Sequence, residues 1–319
     1  MPDLSIVICT FERLPLLANA LGAVAALDGL AGAPVEVIVV DNSPRESARA
    51  AVQAAGRDFP VPLRYVAARP ANIAVARNAG AAAAGGAFVA FLDDDQEVSR
   101  GWLGAVLGAA RQQPHDILFG AVLPRFAEPS SENEPARAMF SRVCAAPTGT
   151  PVLARRRTHP FVPGTGNSVF RRSTALAAPH PFDPRFGECG GEDLHLFLRL
   201  ERDGRRFAWL SGAEVVEVVP AQRCTRDYLA TRHFAGGQAY AAAMIDTSPA
   251  PALSALRIEL SGRAQLAALA LAGLLRPGDE AEETVRTLRI AGARGKLARR
   301  SLLPLYRVER RQDAAPEPA

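Results

Sequence analysis

The sequence predicts an α/β fold in which a mostly parallel central sheet is covered by helices on both faces. Short, continuously apolar runs alternate with helical patterns through the first third of the chain. Polar side chains follow these runs, as they do at the carboxyl ends of strands in open sheets. The 319 residues are 48% hydrophobic and 22% charged, which is ordinary for a globular chain of one large or two smaller domains.

The first third predicts four buried strands with helices between them. Leu14, Leu17 and Leu21 recur on one side of the first helical pattern. A second helix is expected to begin near Ser43-Pro44, because serine caps a helix and proline suits its first turn. The predicted strands are 5–9, 35–40, 63–66 and 87–92, and the other predicted helices are 13–27 and 72–84.

The middle region continues this alternation less regularly. Residues 124–160 are rich in proline and arginine, which predicts a long irregular surface loop. Residues 207–210 and 213–219 predict two edge strands. The remaining predictions are a helix at 99–112, a strand at 116–123, a turn at 163–168, a short strand at 169–170, a flexible loop at 187–191 and helices at 194–202 and 225–243.

The last part of the chain, 250–311, predicts helices with a break at Pro277-Gly278. The apolar stretch 253–275 is expected to be a poor membrane span, because Arg257, Glu259 and Arg263 interrupt it. The tail that follows 311 predicts disorder.

A basic segment precedes that tail. The net charge of the chain is +4, and nine cations lie between Arg286 and Arg311 against one acid, Glu309. Such a density favours anionic surfaces, so segment 284–311 is a candidate for attachment to a membrane surface. A solvated basic helix or a self-association surface explains the same charges equally well.

Several function classes are not indicated. The four cysteines, Cys9, Cys144, Cys189 and Cys224, are far apart and form no CxxC pair, which favours reduced thiols over a zinc or disulfide framework. The N-terminus lacks the pattern of a signal peptide. The chain has no P-loop, no GxGxxG after the first strand and no GxSxG, and we expect no nucleic-acid partner.

Three consecutive aspartates, 93–95, end the fourth predicted strand. Carboxylates this close repel one another, and a bound Mg²⁺ or Mn²⁺ would relieve the repulsion. The alternative is a solvated acidic turn. Polar residues also follow the first strand at 10–13 and the second at 41–43, so three loops are expected to converge on one crevice.

A second signal is Gly190-Gly191-Glu192-Asp193. Paired glycines let the backbone approach a ligand, and the carboxylates that follow are suited to general-base catalysis. The alternative is an acidic first turn that only stabilises its own helix. Asn72 and Arg77 could likewise be a cap and a solvent-facing cation.

Taken in order, these motifs resemble family 2 glycosyltransferases of the GT-A fold, whose sheet is Rossmann-like. The likeness covers about residues 4–245, and segment 167–172 resembles the acceptor side of that family. The motifs are Ile-Cys-Thr-Phe-Glu-Arg at 8–13, Val-Val-Asp-Asn-Ser at 39–43, Asn72 with Arg77-Asn78-Ala79-Gly80, Phe-Leu-Asp-Asp-Asp at 91–95, and Gly-Gly-Glu-Asp at 190–193 with Arg199-Leu200.

The resemblance implies roles for particular residues. Asp95 would be the direct ligand of Mn²⁺ or Mg²⁺, together with Asp93 in a DxD motif. Asp193 would be the catalytic base, supported by Glu192. Many relatives carry a histidine where this chain has Glu217, so whether Glu217 binds the metal stays open. The implied donor-binding set is Thr10, Phe11, Glu12, Arg13, Asp41 (against the base), Asn42, Asn72, Arg77, Asp93 and Asp94.

The resemblance also implies a reaction and an organisation. A sugar would pass with inversion from a UDP-, dTDP- or GDP-sugar to a hydroxyl of a glycan or lipid-linked acceptor, in bacterial cell-surface polysaccharide or glycolipid synthesis. The protein would be cytoplasmic, or peripheral on the inner face of the membrane. Residues 1–98 would bind the nucleotide sugar, 99–247 would bind the acceptor and catalyse transfer, and 248–319 would be a helical basic extension.

Two other classes remain open at this point. A sugar nucleotidyltransferase also uses carboxylates and a metal on an α/β sheet, but it releases pyrophosphate from a nucleoside triphosphate. A non-catalytic relative would bind the nucleotide sugar without turnover; the presence of Asp93, Asp95 and Asp193 argues against it.

Overall fold

The computed structural model describes residues 2–153, 162–275 and 278–306, and it confirms the α/β fold with a C-terminal helical region. Its described part contains nine strands in a single sheet. The strands are β1 (Leu4–Thr10), β2 (Val35–Asp41), β3 (Leu63–Ala67), β4 (Phe88–Asp93), β5 (Gln96–Val98), β6 (Ile117–Phe126), β7 (Pro151–Val152), β8 (Ser168–Arg171) and β9 (Phe207–Val219).

Helices cover the sheet and extend beyond it. The helices are α1 (Leu14–Ala25), α2 (Arg49–Ala55), α3 (Ile73–Ala83), α4 (Trp102–Gln112), α5 (Glu134–Phe140), α6 (Arg172–Ala175), α7 (Glu192–Arg202), α8 (Arg226–Asp246), α9 (Pro251–Leu275) and α10 (Glu280–Leu297).

The strand order is β3-β2-β1-β4-β8-β6-β9-β5, with β7 beside β9. Strands β1 to β4 are all parallel, as the alternating pattern predicts, whereas β8 runs antiparallel to both of its neighbours. The second half of the sheet is therefore mixed rather than mostly parallel. Because β1, β2 and β4 are parallel neighbours, their carboxyl ends lie at one edge, where the loops at 10–13, 41–43 and 93–95 meet.

The sheet is buried on both faces, which explains its continuously apolar strands. Side chains alternate along β1, so that Ile6 and Ile8 face α1 and α4 while Val7 faces α3 and α7. The second face is filled by phenylalanines that contact one another edge to face or stacked: Phe91, Phe119, Phe170, Phe182, Phe197 and Phe207. This packing makes the sheet a firm support for the loops at its edge.

The prediction of a helix beginning at Ser43-Pro44 is wrong, because α2 begins at Arg49. The carboxylate of Asp41 accepts hydrogen bonds from the backbone N–H groups of Ser43 (2.9 Å) and Ala48 (2.7 Å). These bonds hold the intervening residues in a turn, and the Ser43 hydroxyl donates to Glu12 instead of capping a helix.

Two predictions in the middle region are also wrong. Segment 124–160 is not one irregular loop, since its described part contains the end of β6, a 3₁₀ turn, α5 and β7. The two predicted edge strands are a single strand, β9, which has β6 on one side and β5 and β7 on the other. Gly212 has a φ of +84°, and β6 shifts register opposite it, so the apparent break at 211–212 is an irregularity within one continuous strand.

The C-terminal helices pack closely on the rest of the chain. Any Cβ at Gly237 of α8 would collide with the Gly292 carbonyl of α10, and any Cβ at Gly295 would collide with the Phe234 carbonyl. After α10 the chain returns across α8 as an irregular segment, 298–306, which we call the C-terminal strap. The predicted break at Pro277-Gly278 falls between α9 and α10, although Pro277 lies outside the described residues. The residues after 306, including the predicted disordered tail, also lie outside them.

Helix α9 contains the apolar stretch 253–275, which the sequence predicts to be a poor membrane span. By length and composition it is apolar enough to cross a membrane, with a mean hydropathy of 1.3 over its most apolar window, of which 11% is buried. The interrupting charges all lie in its first half, and residues 264–275 carry none.

Candidate active site

A cleft opens at the carboxyl ends of β1 and β4, where the sequence predicts a crevice. Its floor is the acidic turn 93–95, and its walls come from the loops after β1, β2 and β9 and from the C-terminal strap. Four carboxylates face four guanidinium groups in it. The lining residues are Cys9, Thr10, Phe11, Arg13, Asn42, Ile73, Arg77, Asp93, Asp94, Asp95, Glu217, Arg223, Arg232 and Tyr306.

The acidic turn is held by arginines. Arg13 contacts Asp94 Oδ1 at 2.9 Å and Asp95 Oδ2 at 3.0 Å, and Arg223 approaches the same Asp95 oxygen at 3.7 Å. The Thr10 hydroxyl donates to Asp94 Oδ2 at 2.8 Å. These contacts are charge-assisted and fix the direction of the carboxylates.

Burial and mutual repulsion raise the pKa values of carboxylates in and beside the floor of the cleft. Burial raises the pKa of Asp94 to about 7, and the neighbouring Asp95 and Asp93 raise it further against the opposing effect of Arg13. Burial, followed by the charges of Asp95 and Asp93, raises the pKa of Glu217 to about 7, and burial also raises the pKa of Asp93. An additional cation would stabilise their anionic forms.

Glu217 stands beside the acidic turn because β9 pairs with β5. Gln96, the first residue of β5, donates from Nε2 to Glu217 Oε2 at 3.1 Å and accepts from the backbone N–H of Asp93 at 3.2 Å. Gln96 therefore links the two candidate ligand groups. The structure thus brings Glu217 into the same cleft as Asp93 and Asp95.

Arg77 joins the acidic turn to the start of α7. It is buried in α3, forms a short ion pair with Glu192 and lies 3.6 Å from Asp93 Oδ1. Burial lowers the pKa of Arg77, but the charges of Glu192 and Asp93 outweigh it, so the net shift is upward. Glu192 is thereby held by Arg77, whereas Asp193, the other member of the acidic pair, is directed toward loop 163–168 instead.

Asp193 and Asp93 approach the same glycine-rich loop, 163–168. A Cβ built on Gly164 would lie 3.6 Å from Asp193 Oδ2, and any Cβ on Gly166 would collide with the Asp93 carboxylate. The other Asp193 oxygen accepts the backbone N–H of Leu194 at 2.6 Å. The acidic turn and the start of α7 are therefore on the same side of the molecule, separated by this loop and Arg77.

Loop 163–168 is held from below by buried groups. Arg142 donates to the carbonyls of Gly120 (2.8 Å), Gly164 (2.8 Å) and Asn167 (2.7 Å), and burial lowers its pKa to about 10. Asn167, at φ +49°, accepts from the indole of Trp102 at 2.8 Å. The hydrogen bonds of both side chains fix the shape of the loop.

Three residues of the predicted donor-binding set do not line the cleft. Asp41 is fully buried, and it accepts from the Tyr65 hydroxyl as well as from its own turn. Glu12 pairs with Arg45, and Asn72 caps α3 while donating to the Pro184 carbonyl. Their direct contact with a nucleotide stays a prediction, as do the roles of the cleft residues.

Several residues of the site carried no signal in the sequence. Arg223 precedes the predicted helix 225–243 and Arg232 lies within it, and nothing in the sequence marks either of them among many arginines. Arg142 lies in the segment that was expected to be irregular. Tyr306 comes from the C-terminal strap, more than 110 residues after Asp193, and the packing of the strap on α8 brings it to the cleft.

A second group of potential ligands lies outside the cleft. Asp183, His195 and Asp246 place one ligand atom each within 4.8 Å of one another. Arg185 already bridges the two carboxylates, and His195 Nε2 lies 2.8 Å from Asp246 Oδ2. Because a guanidinium group supplies the counter-charge there, this group needs no metal.

The chain is similar to known sugar-transferring proteins. The model of the family "Glycosyl transferase family 2" matches residues 5–175. The succinoglycan biosynthesis protein ExoM of Rhizobium meliloti is 33% identical over 233 residues, which is 73% of this chain and 72% of ExoM. The pre-mycofactocin glycosyltransferase of Mycobacterium tuberculosis is 34% identical over 171 residues, 52% of this chain and 34% of that protein.

Solved structures share the fold. Residues 1–349 of TarS from S. aureus, in complex with UDP-GlcNAc, give a TM-score of 0.56 at 14% identity, covering 98% of this chain and 92% of that one. The mannosyltransferase PcManGT from Pyrobaculum calidifontis, in complex with GDP-Man and Mn²⁺, gives 0.57 at 20% identity, covering 94% and 88%. The family model matches more than half of the chain, and ExoM is similar over most of its length. This chain is therefore a member of glycosyltransferase family 2, and it has the GT-A fold.

Proposed function

We propose that the protein is a metal-dependent, inverting glycosyltransferase that moves a sugar from a nucleoside-diphosphate sugar to an acceptor hydroxyl. The observation that carries the proposal is the placement of a carboxylate turn and a separate carboxylate, Asp193, on one side of the molecule around loop 163–168. A single displacement needs these two parts, one for the leaving diphosphate and one for the incoming hydroxyl.

The donor would bind with its diphosphate over the acidic turn and the guanidinium groups of the cleft. Arg13, Arg223 and Arg232 line that region, and guanidinium groups are suited to phosphate oxygens. Thr10, Phe11 and Asn42 line the side toward β2, where the nucleoside would lie. The complexes of TarS with UDP-GlcNAc and of PcManGT with GDP-Man support a UDP- or GDP-sugar as donor.

The residues of the floor fit a divalent cation. Asp95 and Asp93 would hold Mn²⁺ or Mg²⁺ with Glu217, because all three offer carboxylate oxygens, and burial together with the neighbouring carboxylates raises the pKa of Asp93 and of Glu217. When bound, the metal would neutralise charge on the diphosphate. The Mn²⁺ complex of PcManGT supports this assignment.

Asp193 would accept the proton of the acceptor hydroxyl as that oxygen attacks the anomeric carbon. Glu192, fixed by Arg77, would hold the first turn of α7 in place, and the N–H of Leu194 would keep the Asp193 carboxylate turned toward loop 163–168. Attack from the face opposite the diphosphate inverts the anomeric configuration. The acceptor would be a growing glycan or lipid-linked sugar, as the succinoglycan role of ExoM supports.

Thermal-shift measurements with UDP, dTDP and GDP, each with and without Mn²⁺, test the proposal. One nucleoside diphosphate at about 100 times its Kd is expected to raise Tm by roughly 4 °C or more, and Mn²⁺ is expected to enlarge the shift. Stabilisation by nucleoside triphosphates alone, with release of pyrophosphate on adding a sugar phosphate, would instead identify a nucleotidyltransferase.

The C-terminal helices would also hold the enzyme at an anionic membrane surface. Helix α9 exposes Leu271, Leu274 and Leu275 in its uncharged second half, and α10 exposes Arg289 and Arg294. Exposed leucines next to cations are typical of helices that lie at a membrane interface. This placement would bring a lipid-linked acceptor to the cleft.

Replacing Leu271, Leu274 and Leu275 together by glutamine is expected to abolish sedimentation with vesicles that contain phosphatidylglycerol. The substitutions remove the apolar area that would enter the membrane, and they leave the fold intact because the three side chains are exposed in the protein. Val143→Gln, which changes an exposed apolar residue elsewhere, is the control. Equal sedimentation of the triple variant and the control would rule out α9 as the attachment site.

A further inference from the structure

We propose that Tyr306 is a substrate-binding residue that stacks against a sugar ring of the acceptor. The inference rests on the proposed function, because it assigns a residue to the acceptor side of the same cleft. Tyr306 is a cleft residue contributed by the C-terminal strap. The strap lies beyond the segment matched by the family model, which ends at residue 175.

The strap is tied down along its length. Gln238 of α8 donates from Nε2 to the carbonyls of Ala298 and of Ser301 (2.8 Å), and its Oε1 accepts the N–H of Leu303 at 2.8 Å. Gln238 is buried, and so is Leu305, the residue before the tyrosine. One amide side chain thus satisfies three backbone groups of the strap, which is a built anchor rather than an incidental contact.

Tyr306, the last described residue of the strap, is bonded to the loop that precedes α7. The backbone N–H of Tyr306 donates to the Glu188 carbonyl at 3.1 Å. A Cβ built on Gly190 would lie 3.5 Å from the Tyr306 hydroxyl and 3.7 Å from Cζ. Gly190 has a φ of +73°, a conformation that favours glycine, and the phenol ring lies beside its backbone.

This position is on the acceptor side of the cleft. The ring lies against Gly190, three residues before Asp193, and Tyr306 lines the cleft together with Arg77. The proposed nucleoside side, with Phe11 and Asn42, is formed by the loops after β1 and β2 instead. A group held by Tyr306 would therefore be next to the proposed base.

An aromatic ring at such a place suits carbohydrate. The face of the ring carries partial negative charge, and it attracts the positively polarised C–H groups on one face of a pyranose while excluding water. The hydroxyl adds a polar group at the edge of the ring. The ligand class is thus an acceptor with a sugar ring at its attacking end, rather than a lipid or peptide alcohol.

Saturation-transfer NMR with a mixture of the methyl glycosides of glucose, galactose and mannose tests the inference without requiring turnover. In the presence of Mn²⁺ and the nucleoside diphosphate that stabilises the wild type, we expect saturation of the ring C–H protons of at least one glycoside by the wild type and by Tyr306→Phe. We expect a loss of about tenfold in that signal for Tyr306→Ala. Tyr240→Ala, at an exposed tyrosine of α8, is the matched control.

An unchanged signal in Tyr306→Ala, or no signal from any glycoside with the wild type, would overturn the inference. Tm of each variant separates loss of the contact from loss of the fold, and binding of that nucleoside diphosphate by Tyr306→Ala is expected to equal that of the wild type. A loss of nucleotide binding instead would move Tyr306 to the donor side and also overturn the inference. Glycoside binding without any sugar transfer would count against the proposed function and leave the Tyr306 contact standing.

Discussion

Asp193→Asn is expected to abolish sugar transfer while nucleotide binding persists. Asparagine keeps the size of the side chain and can still accept the Leu194 N–H bond, but it cannot take the proton of the attacking hydroxyl. Loss of a general base typically costs a factor of about 100 to 10,000 in rate. The measurement is kcat for release of the nucleoside diphosphate, together with its Kd by calorimetry.

The matched control is Asp203→Asn, because Asp203 is exposed at the other end of α7. The substitution makes the same chemical change at the same helix. We expect it to have the activity of the wild type. Wild-type turnover in Asp193→Asn would show that another group is the base. Loss of nucleotide binding in that variant would mean that Asp193 serves the donor, not the acceptor.

Asp95→Asn is expected to remove the Mn²⁺-dependent part of nucleoside-diphosphate binding and to lower turnover by at least about 100-fold. The substitution replaces a negatively charged oxygen ligand by a neutral one, and a bound metal supplies several kcal/mol to the stabilisation of charge in such reactions. The metal-independent part should persist, since Arg13 and Arg223 remain to contact phosphate. The measurement is the Tm shift with UDP or GDP, with and without Mn²⁺.

Asp58→Asn, at an exposed position, is the control for the general effect of removing a carboxylate, and it should respond to Mn²⁺ like the wild type. A full Mn²⁺-dependent shift in Asp95→Asn would place the metal on other ligands. Tm of the free variant is needed as well, because Arg13 loses one of its two partners.

The first half of the sheet could be predicted from the sequence, because its strands have apolar patterns that match their burial in the fold. Strands β1, β2 and β4 are buried on both faces, so their apolar runs are continuous and end at polar residues. The same agreement located the aspartate turn, because a carboxylate cluster directly after a buried strand has few structural explanations.

The failures have a common physical cause, which is that long-range contacts override local signals. Ser43 has the chemistry of a helix cap, but Asp41 holds its backbone in a turn and Glu12 takes its hydroxyl. Gly212 has the sequence signature of a strand end, but β9 continues past it because β6 pairs with β9 on both sides of this residue. No local pattern records either partner.

The candidate site shows the same division. Asp93, Asp95 and Asp193 lie in motifs that can be recognised one at a time. Arg142 and Tyr306 acquire their places only through the fold, the first beneath loop 163–168 and the second through Gln238 and the C-terminal strap. Neither residue lies in one of the recognised motifs, so the local sequence could not have singled them out.

Anomalous diffraction from crystals grown with Mn²⁺ and the stabilising nucleoside diphosphate tests most directly whether two carboxylate centres serve one cleft. We expect a Mn²⁺ peak bound by Asp95, with the diphosphate beside it and its terminal phosphate directed toward Asp193. A peak at Asp183, His195 and Asp246 with none at the acidic turn, or a diphosphate that points away from α7, would contradict the proposed mechanism.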